Sequence, residues 1–321
     1  MALFYRSVAA LLRSALCPVE RADELIERAL MLQGRAAARD QAKGQRISDL
    51  RAVEFSVFSQ WGEDGIIEWL VAQLQLPNHR FIEFGVESFV EANCRFLLQN
   101  RNWKGLVMDG SELNIQRLRA SKLHWMHDLT AKSAFITAEN INALIEEVGF
   151  AGPLGLLSID IDGNDYWVWK AISVVDPAIV ICEYNAILGD TRSIVVPYAP
   201  DFRRLEAHHS GLYYGASIMA LRELAAEKGY TCLGSNANGI NAFFVRNDLA
   251  KTLLPLIAEQ KAFPSHHRDS RGPDGKLTFA RGLNRLALIS DMPVIDIKTG
   301  DELLLGGIAA PYSEAWLEAV E

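Results

Sequence analysis

From Phe55 onward, short apolar runs alternate with amphipathic stretches, and no other feature of the sequence limits the fold so strongly. Runs this uniformly apolar suit strands buried on both faces. Strands are predicted at 80–84, 105–108, 134–137, 155–160, 178–183, 230–234 and 242–245, with helices at 62–73, 92–100, 112–120, 138–148, 166–172 and 217–228. Strands and helices taking turns in this way build an open α/β fold, a parallel sheet wound with helices on both faces. Only the turn-rich segment 235–241 separates the last two strands, so they are expected to pair as an antiparallel hairpin.

The chain has 321 residues, half of them hydrophobic and 22% charged, which fits one sizeable domain with extensions. Residues 1–54 read as a helical accessory segment, with Leu25, Ile26, Ala29, Leu30 and Leu32 at helical spacing. Residues 55–247 form the core, and residues 248–321 an extension over it that closes with apolar runs at 293–297 and 303–305. The start is apolar but broken by Arg6 and Arg13, so it lacks the core of a secretory signal. Leu3, Phe4, Leu11, Leu12 and Leu16 share one broad helical face. That face is expected to dock on its own domain or on a second copy in a homo-oligomer, with peripheral membrane contact as the alternative. No apolar run approaches the roughly 18 residues that span a bilayer. Four cysteines without C-x-x-C spacing argue for neither zinc nor a disulfide framework, and a cytoplasmic protein is expected. The net charge of −8 offers no footprint for a phosphate backbone, so no nucleic-acid partner is expected.

In open α/β sheets ligands bind beyond the carboxyl ends of the strands. The first strand runs out through Glu83 into Gly85, where a missing side chain lets backbone approach a ligand. The second ends in Asp109-Gly110, an acid placed to accept hydrogen bonds from both hydroxyls of an adenosine ribose. The third leads to Glu139, facing an adenine ring. Together these turns outline a nucleoside pocket. Further on, alternation along the fourth strand points Ser158, Asp160 and Asp162 one way if the extended form persists to Asp162. Alternatively Asp162, Asn164 and Asp165 form a turn and cap the next helix.

The segments FSQWGEDGIIEWL, FIEFGVES, LLSIDIDGNDYW, VICEYNA, YYGAS and NAFFVR resemble the motifs of FkbM-type and related class I S-adenosylmethionine-dependent methyltransferases associated with polysaccharide biosynthesis. The resemblance covers about Phe55 to Arg246. It implies a Rossmann-like seven-stranded sheet, S-adenosyl-L-methionine as cofactor and a sugar hydroxyl of a glycan, glycolipid or nucleotide-sugar as acceptor. It also implies that Glu83, Gly85 and Asp109 hold the methionine and ribose parts, with Gly110 and Asp160 beside them, Glu139 near the adenine and Gln60 close by. One departure stands out: the cofactor loop of such proteins usually carries further glycines, whereas Glu87, Ser88 and Phe89 follow Gly85 here.

In this fold the strand ending in Glu183-Tyr184-Asn185 lies next to Asp160. Asp160, Asp162, Glu183 and Asn185 would then form an oxygen-rich shell for Mg²⁺ or Mn²⁺. The reaction also needs a proton acceptor. His208 and His209 are favoured among the histidines because they precede Tyr213 and Tyr214, aromatic faces suited to a sugar ring, with Asp165 counted on the same acceptor side. A dinucleotide-dependent oxidoreductase would require G-x-G-x-x-G after the first strand, which FGVESF lacks. A metal-dependent hydrolase would use His266, His267 and Asp269, which lie in a polar turn outside the predicted sheet. A non-catalytic adenosyl-binding module is the remaining alternative.

Overall fold

The computed structural model describes residue 22, residues 24–42 and residues 44–320. Its strands are β1 (Arg80–Phe84), β2 (Lys104–Asp109), β3 (Leu129–Ser133), β4 (Gly152–Ile159), β5 (Val175–Glu183), β6 (Ile194–Val195), β7 (Tyr230–Ser235), β8 (Asn241–Arg246), β9 (Pro293–Asp296) and β10 (Glu302–Leu304). Its helices are α1 (residues 24–41), α2 (Glu63–Gln73), α3 (Arg95–Arg101), α4 (Glu112–Arg119), α5 (Lys122–Met126), α6 (Ile141–Glu147), α7 (Asp165–Ala171), α8 (Arg204–Ala207), α9 (Ile218–Glu227), α10 (Asn247–Leu253), α11 (Gly282–Ala287) and α12 (Glu314–Val320).

Seven strands form one sheet in the order β3-β2-β1-β4-β5-β8-β7. The first five are mutually parallel, while β8 runs antiparallel to both β5 and β7. This is an open, Rossmann-like α/β sheet with a terminal antiparallel hairpin. The apolar runs make it because successive side chains feed opposite faces. Ile82, Leu106, Leu157 and Val180 pack on one face against α6, α7 and α9. Phe81, Val107, Leu156 and Ile179 pack on the other against α2, α3, α4 and α10. Each such side chain, fully withdrawn from water, contributes about 1.5–3 kcal/mol relative to an exposed one.

The third strand departs from its expected place: it occupies Leu129–Ser133, not 134–137. At the sheet edge only Leu129 and Ala131 are buried, so the strand carries a weak apolar signal. The stronger signal of Phe135 and Ile136 arises because both line a cleft. The short elements α5, β6, α8, α11 and α12 also escaped the periodicity.

The predicted face from Leu3 to Leu16 lies outside the described residues. Beyond it, α1 packs Met31 against Phe58 and Phe96, and Glu27 pairs with Arg95 at 3.1 Å. Helix α1 thus docks on α3 of its own chain. At the other end, β6, β9 and β10 form a small antiparallel sheet over a separate apolar cluster that includes Leu188, Ile194, Leu212 and Val294. No helix among the described residues is long and apolar enough to cross a membrane.

The entry into α2 is fixed by a buried carboxylate. Asp64 accepts hydrogen bonds from the N–H groups of Val57, Phe58 and Ser59 at 2.6–2.9 Å, and its own N–H donates to Ser59 Oγ. Nearby Glu54 accepts from Ala237 N–H. Burial pushes Asp64 up to about 7 against the pull of its three donors. It also pushes Glu54 up to about 7, with Glu63 adding to the effect and Arg51 opposing it. The folded chain therefore holds protons that the unfolded chain releases near pH ~4, and stability falls as pH rises from about 4 through about 7. Urea midpoints should drop between about pH 5 and pH 8, and Glu54→Gln should make that drop shallower.

Candidate active site

A cleft of about 650 Å³ opens over the carboxyl ends of β1, β2, β4 and β5. Parallel packing places it there, because every loop leaving those strands turns at the same edge of the sheet. The structure brings Gln60, Glu83, Gly85, Asp109, Gly110, Asp160, Asp162, Glu183 and Tyr214 to its walls. Glu139, Asp165, Asn185, His208, His209 and Tyr213 do not line it.

On one side the loops are tied by acids. Glu83 is buried and accepts from the N–H groups of Asn93 and Cys94 at 2.7 and 3.0 Å, anchoring the entry to α3. Burial pushes Glu83 up to about 7 against those two donors. Asp109 accepts from Glu87 N–H at 2.8 Å with one oxygen and from Ser111 N–H at 2.7 Å with the other. Each carboxylate oxygen has a second lone pair, so Asp109 keeps acceptor capacity toward the cleft. The glycine-poor loop finds its path by placing Glu87 (φ 46) and Phe89 (φ 60) in the left-handed region beside Gly85 (φ 72). Its strain, about 1–2 kcal/mol for each such residue, is held by the Asp109 bond and by burial of the Phe89 ring.

Across the cleft, the carboxylates of Asp160, Asp165 and Glu183 each offer an oxygen within 4.8 Å of the others. The register explains the meeting: Ile159 lies opposite Cys182, so the next residues, Asp160 and Glu183, emerge side by side. The extended form does not persist to Asp162. That residue turns left-handed (φ 56) and pairs with Arg204 at 2.8 Å, while Asp165 swings in from the start of α7. Asp165 also accepts from the N–H groups of Ile161 and Gly163. Burial pushes it up to about 6 despite those bonds. Burial, then mutual repulsion, raises Asp160 and Glu183 well above the ordinary carboxylate range, with Arg204 opposing. Glu183 Oε2 is buried without a hydrogen-bond partner among the described residues.

Several expected contributors are committed elsewhere. Asn185 is fully buried, donates from Nδ2 to the carbonyls of Leu212 and Tyr214, and accepts from Ile187 N–H with its side-chain oxygen. Its amide braces the turn after β5. Glu139 is exposed and accepts from the Tyr198 hydroxyl at 2.6 Å. Tyr213 is buried in the small C-terminal core and donates to the Pro293 carbonyl. His208 and His209 stack on one another at 4.2 Å, and His208 Nδ1 bonds Ser210 Oγ.

Other residues complete the walls. Arg204 lies 3.8 Å above the Tyr214 ring, and Arg285, Asp269 and Ser265 arrive from the segment after β8. His267 packs edge-on against Trp61 at 4.7 Å and lines the cleft. Burial first, then nearby Arg285, His266 and Arg204, hold it below the ordinary histidine value, with Asp269 opposing. None of these carries a strand-end signal. Only the His266-His267-Asp269 pattern marked the segment in advance.

No protein-family model matches the chain, and no curated protein matches it. Solved structures do match. A S-adenosylmethionine-dependent methyltransferase from Clostridium acetobutylicum ATCC 824 is 12% identical over 57% of this chain and 90% of its own, with a TM-score of 0.37. An O-methyltransferase from Bacillus cereus in complex with SAH is 16% identical over 68% and 88%, with a TM-score of 0.37. The CurJ carbon methyltransferase is 10% identical over 74% and 70%, with a TM-score of 0.38.

The closest approach in the cleft floor is at Gly85, where a Cβ would overlap the carbonyl oxygen of Asp160. Gly85→Ala should cost more than about 1 kcal/mol from its left-handed backbone alone, and the clash should part β1 from β4. A lowered urea midpoint, read by tryptophan fluorescence, checks this.

Proposed function

We propose that this protein is an S-adenosyl-L-methionine-dependent O-methyltransferase acting on a sugar hydroxyl of a glycan, glycolipid or nucleotide-sugar, assisted by a divalent cation. The observation that carries the reading is the meeting, in one cleft, of the Gly85 turn and Asp109 with Asp160 and Glu183 at the ends of β4 and β5, which Asp165 joins from the start of α7. Gly85 leaves room for close approach to backbone, and Asp109 offers its free lone pairs to a ribose diol. Phe135 and Ile136 provide apolar surface beside them. The described cysteines Cys94, Cys182 and Cys232 are unpaired, which suits a cytoplasmic enzyme.

The donor set fits a hard cation. Asp160, Asp165 and Glu183 supply oxygens, and the unpartnered Glu183 Oε2 is the atom most in need of a positive neighbour. When bound, Mg²⁺ or Mn²⁺ lowers the proton affinity of an oxygen beside it. Tyr214, under the Arg204 guanidinium, lines the cleft on the side proposed for the acceptor. His267, and not His208 or His209, is the histidine that lines the cleft, and burial lowers its proton affinity; it is the candidate acceptor for the hydroxyl proton.

S-adenosylhomocysteine should bind and raise the melting temperature, with NAD as the negative control. Asp109→Ala should weaken that binding about tenfold or more, as expected for hydrogen bonds to a charged group. Unchanged affinity in the folded variant would remove Asp109 from the cofactor site. For the cation, the electron paramagnetic resonance signal of free Mn²⁺ should fall on adding the protein, and should recover with Asp160→Asn combined with Glu183→Gln. S-adenosylhomocysteine affinity should survive that double substitution. Mn²⁺ binding equal to that of the unaltered protein would separate the carboxylates from any metal.

A further inference from the structure

Two arginines, Arg204 and Arg285, line the cleft together with Asp162 and Asp269, in a chain whose net charge is −8. Arg285 comes from segment 265–285, whose other cations, Arg268, Arg271, Lys276 and Arg281, do not line the cleft. Arg285 is the unusual member. Its side chain is only 5% exposed, yet it lines the cleft, and its Nε has no hydrogen-bond partner among the described residues. Its two remaining contacts are long: Nη1 to the Ser265 carbonyl and Nη2 to Asp269 Oδ1, both 3.3 Å. Asp269 is itself half exposed and is shared with Arg204 at 3.7 Å. Arg204 is better satisfied, by Asp162 at 2.8 Å and by the Gly211 carbonyl at 2.7 Å.

A buried guanidinium with one unmade bond and two weak ones is costly unless something else meets it. Burial indeed holds the Arg285 pKa below the ordinary guanidinium value, although Asp269 works the other way. A planar fork with an open donor edge is the geometry that receives a carboxylate or phosphate through paired charge-assisted bonds. Asp269, held only loosely, occupies part of that edge and is free to turn toward solvent.

We infer that the acceptor carries an oxyanion, a carboxylate or a phosphate, and that Arg285 binds it with Arg204 alongside, displacing Asp269. This deepens the methyltransferase reading and rests on it for the word acceptor. The anion anchors the substrate at the loop end of the cleft, and the rest of the substrate extends past Arg204 toward the carboxylate cluster.

The full-length protein is titrated calorimetrically with glucuronate, glucose 1-phosphate and glucose, without any adenosyl compound. At least one anionic probe should bind about tenfold or more tightly than glucose, the worth of charge-assisted hydrogen bonds, and should weaken as salt is added. Which of the two binds identifies the oxyanion. Arg285→Lys should lose most of that preference. Asp269→Asn should tighten anion binding several-fold, because it removes the competitor for the guanidinium; Asp269 is exposed enough for this variant to fold. Glucose binding as well as both anions, or anion affinity unchanged or weakened in Asp269→Asn, would overturn the proposal. S-adenosylhomocysteine is titrated separately into the same proteins. Anion binding without adenosyl binding would leave the oxyanion site standing and remove the methyltransferase reading.

Discussion

The cleft depends on carboxylates that accept hydrogen bonds from the backbone of the loops around it. Asp64 gathers three consecutive N–H groups before α2, Glu83 two at the entry to α3, Asp109 two from separate turns, and Asp165 two around the left-handed Asp162. Loops that leave parallel strands have no ladder to satisfy them. An unpaired buried N–H costs about 1–3 kcal/mol, and a carboxylate meets two or three at once. The cost moves to Asp64, Glu83 and Asp165, whose proton affinities rise with burial. Two of these acids, Glu83 and Asp109, also line the cleft, so the groups that shape the loops border the ligand space.

The sheet makes such tying possible. With β1 flanked by β2 and β4, the ends of three parallel strands lie at one level, and the β1 turn reaches both neighbours. Gly85 touches the carbonyl of Asp160, and the loop after it bonds Asp109 at the end of β2. Sheet register is thereby transmitted into the positions of the cleft residues. Apolar packing on both faces holds that register, since a slip by one residue would exchange the two faces.

How legible all this was in the sequence follows the same physics. Strands buried on both faces announce themselves as apolar runs, and β1, β2, β4 and β5 were placed within a few residues of their observed bounds. The edge strand β3 was displaced because a half-exposed strand is poorer in apolar residues than the cleft-lining segment after it. Among the cleft-lining residues, Asp109, Asp160 and Glu183 were legible because they stand at strand ends, where the cleft of an open α/β sheet lies. Asp165 was read as an acceptor-side residue, and its approach to Asp160 depends on the left-handed turn at Asp162, which no spacing rule reveals. Asn185 has the chemistry of a ligand, but its amide is absorbed by backbone that only the folded chain brings near. Arg204 and Arg285 stand 81 positions apart and meet through Asp269, a relation invisible along the chain.

The two halves of the cleft are therefore built by different means. The half bearing Gly85 and Asp109 comes from strand ends and their immediate turns, so altering it disturbs the register of the sheet. The half bearing Arg204, His267, Asp269 and Arg285 comes from the segment leading to Tyr214 and the segment after β8. These join the main sheet through packing and side-chain bonds, leaving their residues freer to vary without cost to the core. In the second half, Arg204 and Arg285 share the cleft with the acids Asp160 and Glu183, so opposite charges meet in one ligand space.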